Sequence, residues 1–290
     1  MDPLPQRLGG RQHHFAQSCV LGSVRVRGRR DGLRREGSVR VIPRAQSTPL
    51  NFLLDSGAGR SVIHLGTAQR LGVKLGTRET VQGVEGRCTA YRVDSLAATV
   101  ASSIPVPREV LALDLSSASA GCGTQIDGLL GVDFFRGQIV QIDFSAQKLR
   151  LLNRNEFPAS GAQVLPLVCR NDAFCVRVSV DHNPPQWVRL DTGCSGALEW
   201  VATDAKLCRA AGTSVATGGG SREHIHTNVL LGSERISAVK TGIHQKPIFD
   251  GEAGLLGNGL LSQFRVTVDA YKSRLLLDRA EARKRDVRLP

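Results

Sequence analysis

A repeated block is the feature of this chain that most restricts its fold. Asn51 onward reads NFLLDSGAGRSVI and Trp187 onward reads WVRLDTGCSGALEW, so each copy ends an apolar segment with Asp, a hydroxyl residue and Gly. A second shared block follows in both halves, DGLLGVDFFRGQIVQIDFSAQKLRLL from Asp127 and AGLLGNGLLSQFRVTVDAYKSRLLL from Ala253. Two shared blocks in the same order predict that one structural unit occurs twice in the 290 residues.

The segments around these blocks have the pattern of β-strands. Short runs of β-branched and aliphatic residues are separated by Gly, Ser, Asn and Pro, which is typical of an all-β domain. Helices are expected to be few and short, with the best candidates at 67–71 and 202–211. The predicted strands lie at 38–42, 51–54, 90–93, 96–100, 138–144 and 148–152.

The repeat and the flanking composition divide the chain into five segments. The N-terminal segment has no sustained period of 2 or 3.6 residues, which favours a disordered arm. Each predicted lobe contains one copy of the repeat. The boundaries are a basic arm at 1–37, a first lobe at 38–153, a linker at 154–163, a second lobe at 164–278 and a basic tail at 279–290.

The formal net charge of +12 raises the question of nucleic-acid binding. Residues 1–44 contain ten Arg and three acidic residues, and residues 279–290 contain five basic and two acidic ones. The body between them is close to neutral, and no stretch interleaves basic with aromatic residues as a single-strand binding platform requires. The charge distribution therefore argues against a dedicated nucleic-acid function.

Cysteine spacing and hydropathy bear on metals, cofactors and membranes. The seven cysteines form no Cys-x-x-Cys pair, which argues against a zinc site. No apolar run approaches the roughly 20 residues that span a bilayer. Residues 15–22 are too weakly apolar for a secretory signal. We therefore expect no metal, no cofactor and no transmembrane segment, with the cytoplasm as the default compartment.

The repeated tripeptide places a carboxylate at the end of each of two strands. The following hydroxyl can hydrogen-bond to the partner loop, and Gly lets the backbone approach closely. If a pseudo-twofold axis relates the loops, Asp55 and Asp191 come together, and a pair of carboxyls in one site loses its protons in two separate steps. The singly protonated pair can act as base and acid together, activating a water for attack on a peptide carbonyl.

The two motifs also carry a family resemblance. Asp55-Ser56-Gly57-Ala58-x-x-Ser61-Val62 and Asp191-Thr192-Gly193-Cys194-x-x-Ala197-Leu198, each with a later Leu-Leu-Gly, resemble the active-site regions of a clan AA aspartic peptidase. Because the lobes are short, the chain is most similar to a single-chain tandem of retropepsin-like units, over about 240 of its 290 residues. The resemblance implies an all-β, bilobal, duplicated retropepsin-like (acid protease) fold, with pseudo-twofold symmetry, an interlobe cleft and a hairpin flap.

The resemblance also implies roles for individual residues. The two aspartates would be the catalytic pair, the hydroxyl residues would lock the loops together, and the glycines would support them; these are Asp55, Ser56, Gly57, Asp191, Thr192 and Gly193. The Leu-Leu-Gly segments at 129–131 and 255–257 would pack behind the loops. Candidate flaps lie at 82–87 and 217–221, with the glycines Gly83, Gly86, Gly218 and Gly219.

The sequence therefore predicts an aspartic-type endopeptidase, a hydrolase that cleaves peptide bonds with a water activated between Asp55 and Asp191. Its substrate would be a peptide or protein bound in an extended conformation across the cleft. Because one chain supplies both aspartates, we expect it to be active as a monomer. The alternative is a catalytically inactive retropepsin-like module that binds peptides or other partners.

Overall fold

The computed structural model describes residues 21–26, 48–84, 86–94, 96–100, 104–154, 161–202 and 224–279. Over these ranges the chain is mostly β-strand, interrupted by short helices, and the predicted all-β class is confirmed. Among these residues, no helix has both the length and the apolar character that crossing a membrane requires.

A nine-stranded sheet contains most strands of the first half, in the order β4-β5-β8-β3-β9-β2-β1-β6-β7. Its strands are β1 (Leu21–Val26), β2 (Thr48–Leu54), β3 (Val62–His64), β4 (Arg78–Gly83), β5 (Gly86–Val93), β6 (Ala98–Val100), β7 (Ile104–Pro105), β8 (Val110–Leu113) and β9 (Gly128–Leu130). The helices of this half are α1 (Leu65–Arg70), α2 (Ser116–Cys122) and α3 (Val132–Phe135).

A seven-stranded sheet contains most strands of the second half, in the order β13-β14-β15-β19-β16-β18-β17. Its strands are β13 (Val168–Arg170), β14 (Ala173–Val180), β15 (Gln186–Leu190), β16 (Leu198–Val201), β17 (His224–Leu231), β18 (Glu234–His244) and β19 (Gly254–Leu256). Helix α4 (Asn258–Leu261) follows β19 directly.

A five-stranded sheet joins the two halves, in the order β11-β10-β20-β21-β12. Its strands are β10 (Ile139–Asp143), β11 (Lys148–Leu152), β12 (Gln163–Pro166), β20 (Phe264–Asp269) and β21 (Arg274–Arg279). Strands β10 and β20 are antiparallel neighbours, with Val140 opposite Val268. The shared block that follows each Gly-Leu-Leu-Gly therefore forms the contact between the halves.

Both tripeptides are followed by the same strand arrangement. In the first half, β9 lies between β2, to which it is parallel, and β3, to which it is antiparallel. In the second half, β19 lies between β15 and β16 with the same two directions. The strand before each tripeptide and the strand after it are thus held on either side of a Leu-Leu strand.

The hydrophobic core is continuous across the two halves. It combines aliphatic and aromatic side chains from all three sheets, among them Phe52, Leu190 and Val266, each fully buried. Phe135 of α3 packs edge-to-face on Phe174 of β14, with ring centroids 6.0 Å apart. Burial of this apolar surface fixes the halves relative to each other, which in turn positions the two tripeptide loops.

The prediction that the basic arm at 1–37 is disordered is wrong for six of its residues. Leu21–Val26 forms strand β1, which pairs with β2 and places Leu21 opposite Leu53. Val24 and Val26 flank Arg25, an alternation too short to indicate a strand within an Arg-rich segment. The rest of the arm, the predicted strand at 38–42 and the tail from residue 280 lie outside the described residues.

Other predicted elements agree with the structure to within a few residues. The strands expected at 51–54, 90–93 and 148–152 fall within or match β2, β5 and β11, and the helix expected at 67–71 overlaps α1. The predicted linker at 154–163 is one residue too long, because β12 begins at Gln163. The helix expected at 202–211 lies almost wholly outside the described residues.

Candidate active site

Asp55 and Asp191 each follow the last residue of a buried strand. The backbone N–H of Asp55 donates to the carbonyl of Leu130 (2.9 Å), and that of Asp191 donates to the carbonyl of Leu256 (2.9 Å). The Leu-Leu-Gly segments therefore lie beside the two aspartates and fix their backbones, as the resemblance implied.

Ser56 and Thr192 connect the two loops through four reciprocal hydrogen bonds. The Ser56 hydroxyl donates to the carbonyl of Leu190 (2.7 Å) and accepts from the N–H of Thr192 (3.1 Å). The Thr192 hydroxyl donates to the carbonyl of Leu54 (2.8 Å) and accepts from the N–H of Ser56 (3.0 Å). Both side chains are fully buried, so the two loops form one rigid unit.

The loop glycines allow each carboxyl to lie against the opposite loop. A Cβ atom on Gly57 would lie 2.6 Å from Cγ of Asp191, and one on Gly193 would lie 2.7 Å from Cγ of Asp55. Such separations exclude any side chain at either glycine. The structure thus brings together all six residues of the two tripeptides.

Within each loop, backbone N–H groups donate to the aspartate in the same way. Oδ1 of Asp55 accepts from the N–H groups of Gly57 (2.9 Å) and Ala58 (3.0 Å). Oδ1 of Asp191 accepts from those of Gly193 (2.9 Å) and Cys194 (3.0 Å). One oxygen of each carboxyl is therefore held by its own loop.

Burial and mutual repulsion change the acidity of the pair. Burial, together with the charge of Asp191, raises the pKa of Asp55 to about 8. Burial also raises the pKa of Asp191, while the N–H of Gly193 and the charge of Arg189 act in the opposite direction. The carboxyls also hydrogen-bond to each other. The pair therefore retains a proton near neutral pH, in the state that can act as base and acid together.

Different residues support the two loops from behind. In the first half, the Asp133 carboxylate accepts from the hydroxyl of Ser61 (2.7 Å), which in turn accepts from the N–H of Gly131 (3.0 Å). In the second half, Ala197 occupies the position of Ser61. There the amide of Asn258 donates to the carbonyl of Thr192 (2.7 Å).

Arg189 and Glu252 also belong to the site, and the sequence analysis did not identify them. Arg189 Nε and Nη2 donate to the Glu252 carboxylate at 2.7 and 2.8 Å, and Nη1 donates to the carbonyl of Gly57 at 2.8 Å. The signal in the sequence is a single charged residue within the apolar strand that precedes Asp191. Neighbouring Val188 and Leu190 are both fully buried.

The two flap candidates have different outcomes. Gly83 and Gly86 lie opposite each other at the tip of the β4–β5 hairpin, where Gly86 has φ +122° and Val84 is 45 % exposed. A positive φ of this kind favours glycine. Gly218 and Gly219 lie outside the described residues.

Over the described ranges, no group of three or more His, Cys, Asp and Glu side chains is arranged to hold a metal ion.

Comparison with known proteins finds a family similarity within the first half of the chain. A comparison with curated proteins found no match. Residues 41–134 match the family model described as aspartyl protease. The matched segment includes Asp55, Ser56, Gly57 and the first Leu-Leu-Gly, which are the residues that build the first loop and its support. Over this segment, the chain is similar to the aspartyl protease family.

Proposed function

We propose that this protein is an aspartic endopeptidase, which hydrolyses peptide bonds with a water activated between Asp55 and Asp191. One observation carries the proposal. The reciprocal hydrogen bonds of Ser56 and Thr192 hold the two carboxyls against opposite loops, in an environment that keeps one proton on the pair.

The proposed reaction proceeds by general base and general acid catalysis. The ionised carboxyl takes a proton from water while the water oxygen attacks the peptide carbonyl carbon. The protonated carboxyl gives its proton to the carbonyl oxygen. In the resulting tetrahedral diol, the carboxyl that took the water proton passes it to the leaving nitrogen. The other carboxyl takes a proton from a diol hydroxyl as the C–N bond breaks. The products are a carboxylic acid and an amine, and the pair is again singly protonated.

The substrate is proposed to bind as an extended strand beside the carboxyls. Gly83 and Gly86 lie at the tip of the β4–β5 hairpin. Because glycine has no side chain, the backbone at these two positions can approach a substrate backbone closely. We propose this hairpin as the flap of the first half. An extended substrate would use its own backbone groups for binding and its alternate side chains for specificity.

The test is cleavage of a diverse peptide mixture from pH 3 to pH 9, read by mass spectrometry. The samples are wild type, Asp55→Asn, Asp191→Asn and, as a matched control, Asp114→Asn, whose side chain is 71 % exposed. We expect the first two variants to lose about 100- to 10,000-fold in rate, since each lacks one proton-transfer group. The control should cleave like wild type.

The raised pKa of Asp55 also predicts the pH above which cleavage should fall in this experiment. Because the pKa of Asp55 is raised to about 8, the singly protonated state is lost as pH rises through that value, and cleavage should fall above it. If folded wild type produces no cuts at any pH, the alternative of a peptide-binding module gains support. A peptide that binds without being cleaved would then identify that function.

A further inference from the structure

Arg189 links the second half of the molecule to the first active-site loop. Its Nη1 donates to the carbonyl of Gly57 at 2.8 Å. That carbonyl belongs to the same peptide unit as the N–H of Ala58, which donates to Oδ1 of Asp55 at 3.0 Å. Arg189 therefore holds one end of a peptide unit whose other end holds a catalytic carboxyl, and the two hydrogen bonds polarise each other.

Other contacts hold the Arg189 guanidinium in this position. Its other nitrogens form a bidentate pair with Glu252, and its carbon lies 3.5 Å from the centroid of the Phe249 ring. Glu252 also accepts from the side-chain amide of Asn171 (3.1 Å). Bidentate pairs of this kind combine energy with directional precision.

Stability alone is a weak reason for this ion pair. Arg189 and Glu252 are each 4 % exposed, and the desolvation penalty of a buried ion pair often cancels its attraction. An apolar pair would fill the same space at no such cost. The third contact, to the Gly57 carbonyl, indicates a role in orienting the loop.

The contact also makes the two halves unequal. Leu53 stands two residues before Asp55, where Arg189 stands two residues before Asp191, so the corresponding position of the first half has no donor. The charge of Arg189 acts to lower the pKa of Asp191, and Glu252 is the carboxylate that Arg189 binds. The thiol of Cys175, near Glu252, remains neutral because burial raises its pKa to about 12.

We propose that Arg189, fixed by Glu252, is a positioning residue of the catalytic pair: it orients the Gly57–Ala58 peptide unit towards Asp55 and makes the two aspartates inequivalent. This inference rests on the proposed function. It assigns Asp191, the aspartate of the strand that carries the cation, as the base that takes the proton from water. Asp55 is then the acid that donates to the carbonyl oxygen.

The first test measures the carboxyls directly, by ¹³C NMR of protein labelled at the aspartate carboxyl carbons, with Asp55→Asn and Asp191→Asn used for assignment. The main variant is Arg189→Met with Glu252→Gln, which removes the ion pair without leaving a buried charge. The control is Arg274→Met with Asp269→Asn, which removes an ion pair of 2.8 Å from the central sheet. We expect the main variant to raise the pKa of Asp191 further, because the charge of Arg189 acts to lower it, and the control to leave both titrations as in wild type.

The second test separates positioning from binding. The main variant should lower kcat about 10- to 100-fold with little change in KM, because Arg189 lies behind the loop and a misplaced carboxyl slows the reaction without weakening substrate contacts. Arg189→Lys keeps the charge but not the fork, and should restore part of kcat. It also provides a folded sample for the titration if the double variant does not fold.

The outcomes separate this inference from the proposed function. If the main variant loses thermal stability but its carboxyls titrate as in wild type, Arg189 is a structural ion pair and the inference is wrong. If wild type cleaves no peptide, the proposed function fails. The NMR titration then still decides whether Arg189 makes the aspartates inequivalent.

Discussion

At the scale of single residues, the site combines a symmetric framework with asymmetric support. The hydrogen bonds of Ser56 and Thr192 are reciprocal, whereas Asp133 supports only the first loop and Arg189 contacts only one of the two glycine carbonyls. Symmetry brings the two carboxyls together. Asymmetry is what the proposed reaction needs, because one carboxyl must take a proton while the other gives one.

The raised pKa of Asp55 predicts a pH-dependent cost to stability. Burial and the charge of Asp191 raise the pKa from 3.8 to about 8, so the folded state retains a proton that the unfolded chain loses above about pH 4. The cost is absent below that pH and grows as pH rises towards 8. Asp55→Asn has no proton to lose, and its free energy of unfolding should exceed that of wild type by at least about 1 kcal/mol near pH 8.

Urea denaturation at several values between pH 3 and pH 8 measures this difference. Asp114→Asn is the control with the opposite sign, because hydrogen bonds from Ser116 lower the pKa of Asp114. The free energy of unfolding of Asp114→Asn should therefore show no gain over that of wild type as pH rises. Parallel curves for wild type and Asp55→Asn across the whole range would contradict the prediction.

The hydroxyl of Thr192 gives a second prediction at this scale. Thr192→Val keeps the shape of the side chain but leaves the N–H of Ser56 and the carbonyl of Leu54 without their partner in a buried site. Each such group costs about 1–3 kcal/mol, so the free energy of unfolding should fall by about 2–6 kcal/mol. Thr192→Ser keeps the hydroxyl and should lose less. Equal losses in the two variants would show that the hydrogen bonds contribute little.

At the scale of elements, the sequence predicts those strands and segments that have a regular apolar pattern or that occur twice. The strands before each tripeptide and the Gly-Leu-Leu-Gly segments were found because their apolar runs recur. Short helices such as α2 (Ser116–Cys122) were missed, because seven small residues carry no amphipathic period. Arg189 and Glu252 are 63 residues apart in the chain, and their pairing depends on tertiary contacts that no local pattern contains.

Strand β9 offers a prediction about close packing. A Cβ on Gly128 would overlap the Phe52 ring and lie 2.5 Å from the carbonyl of Val62. Because β9 is held between β2 and β3, it cannot move away, and Gly128→Ala should destabilise the protein by about 1–3 kcal/mol.

Thermal unfolding measures the effect of this substitution, with Gly137→Ala as the matched control. A Cβ on Gly137 would meet no atom within 4 Å, so this variant should unfold within a few degrees of wild type. Similar melting temperatures for both variants would show that the first half can adjust around the added methyl group.

At the scale of the whole molecule, the central sheet explains how one chain can complete the site. Strand β10 belongs to the first shared block and β20 to the second, yet they are hydrogen-bonded neighbours. Phe135 and Phe174 extend the contact into the core. The relative position of Asp55 and Asp191 is therefore set by packing within the chain.

This arrangement predicts that two defective chains cannot repair each other. Asp55→Asn and Asp191→Asn each retain one aspartate, and in a site assembled between chains a mixture of the two would recover part of the wild-type rate by pairing intact loops. Here Ser56 and Thr192 lock the loops of one chain together through buried hydrogen bonds, so exchange would require the central sheet to open. We expect the mixture to cleave no faster than the two variants assayed separately, and wild-type activity per chain to be independent of protein concentration. Recovery of activity on mixing, growing with concentration, would show instead that the site forms between chains.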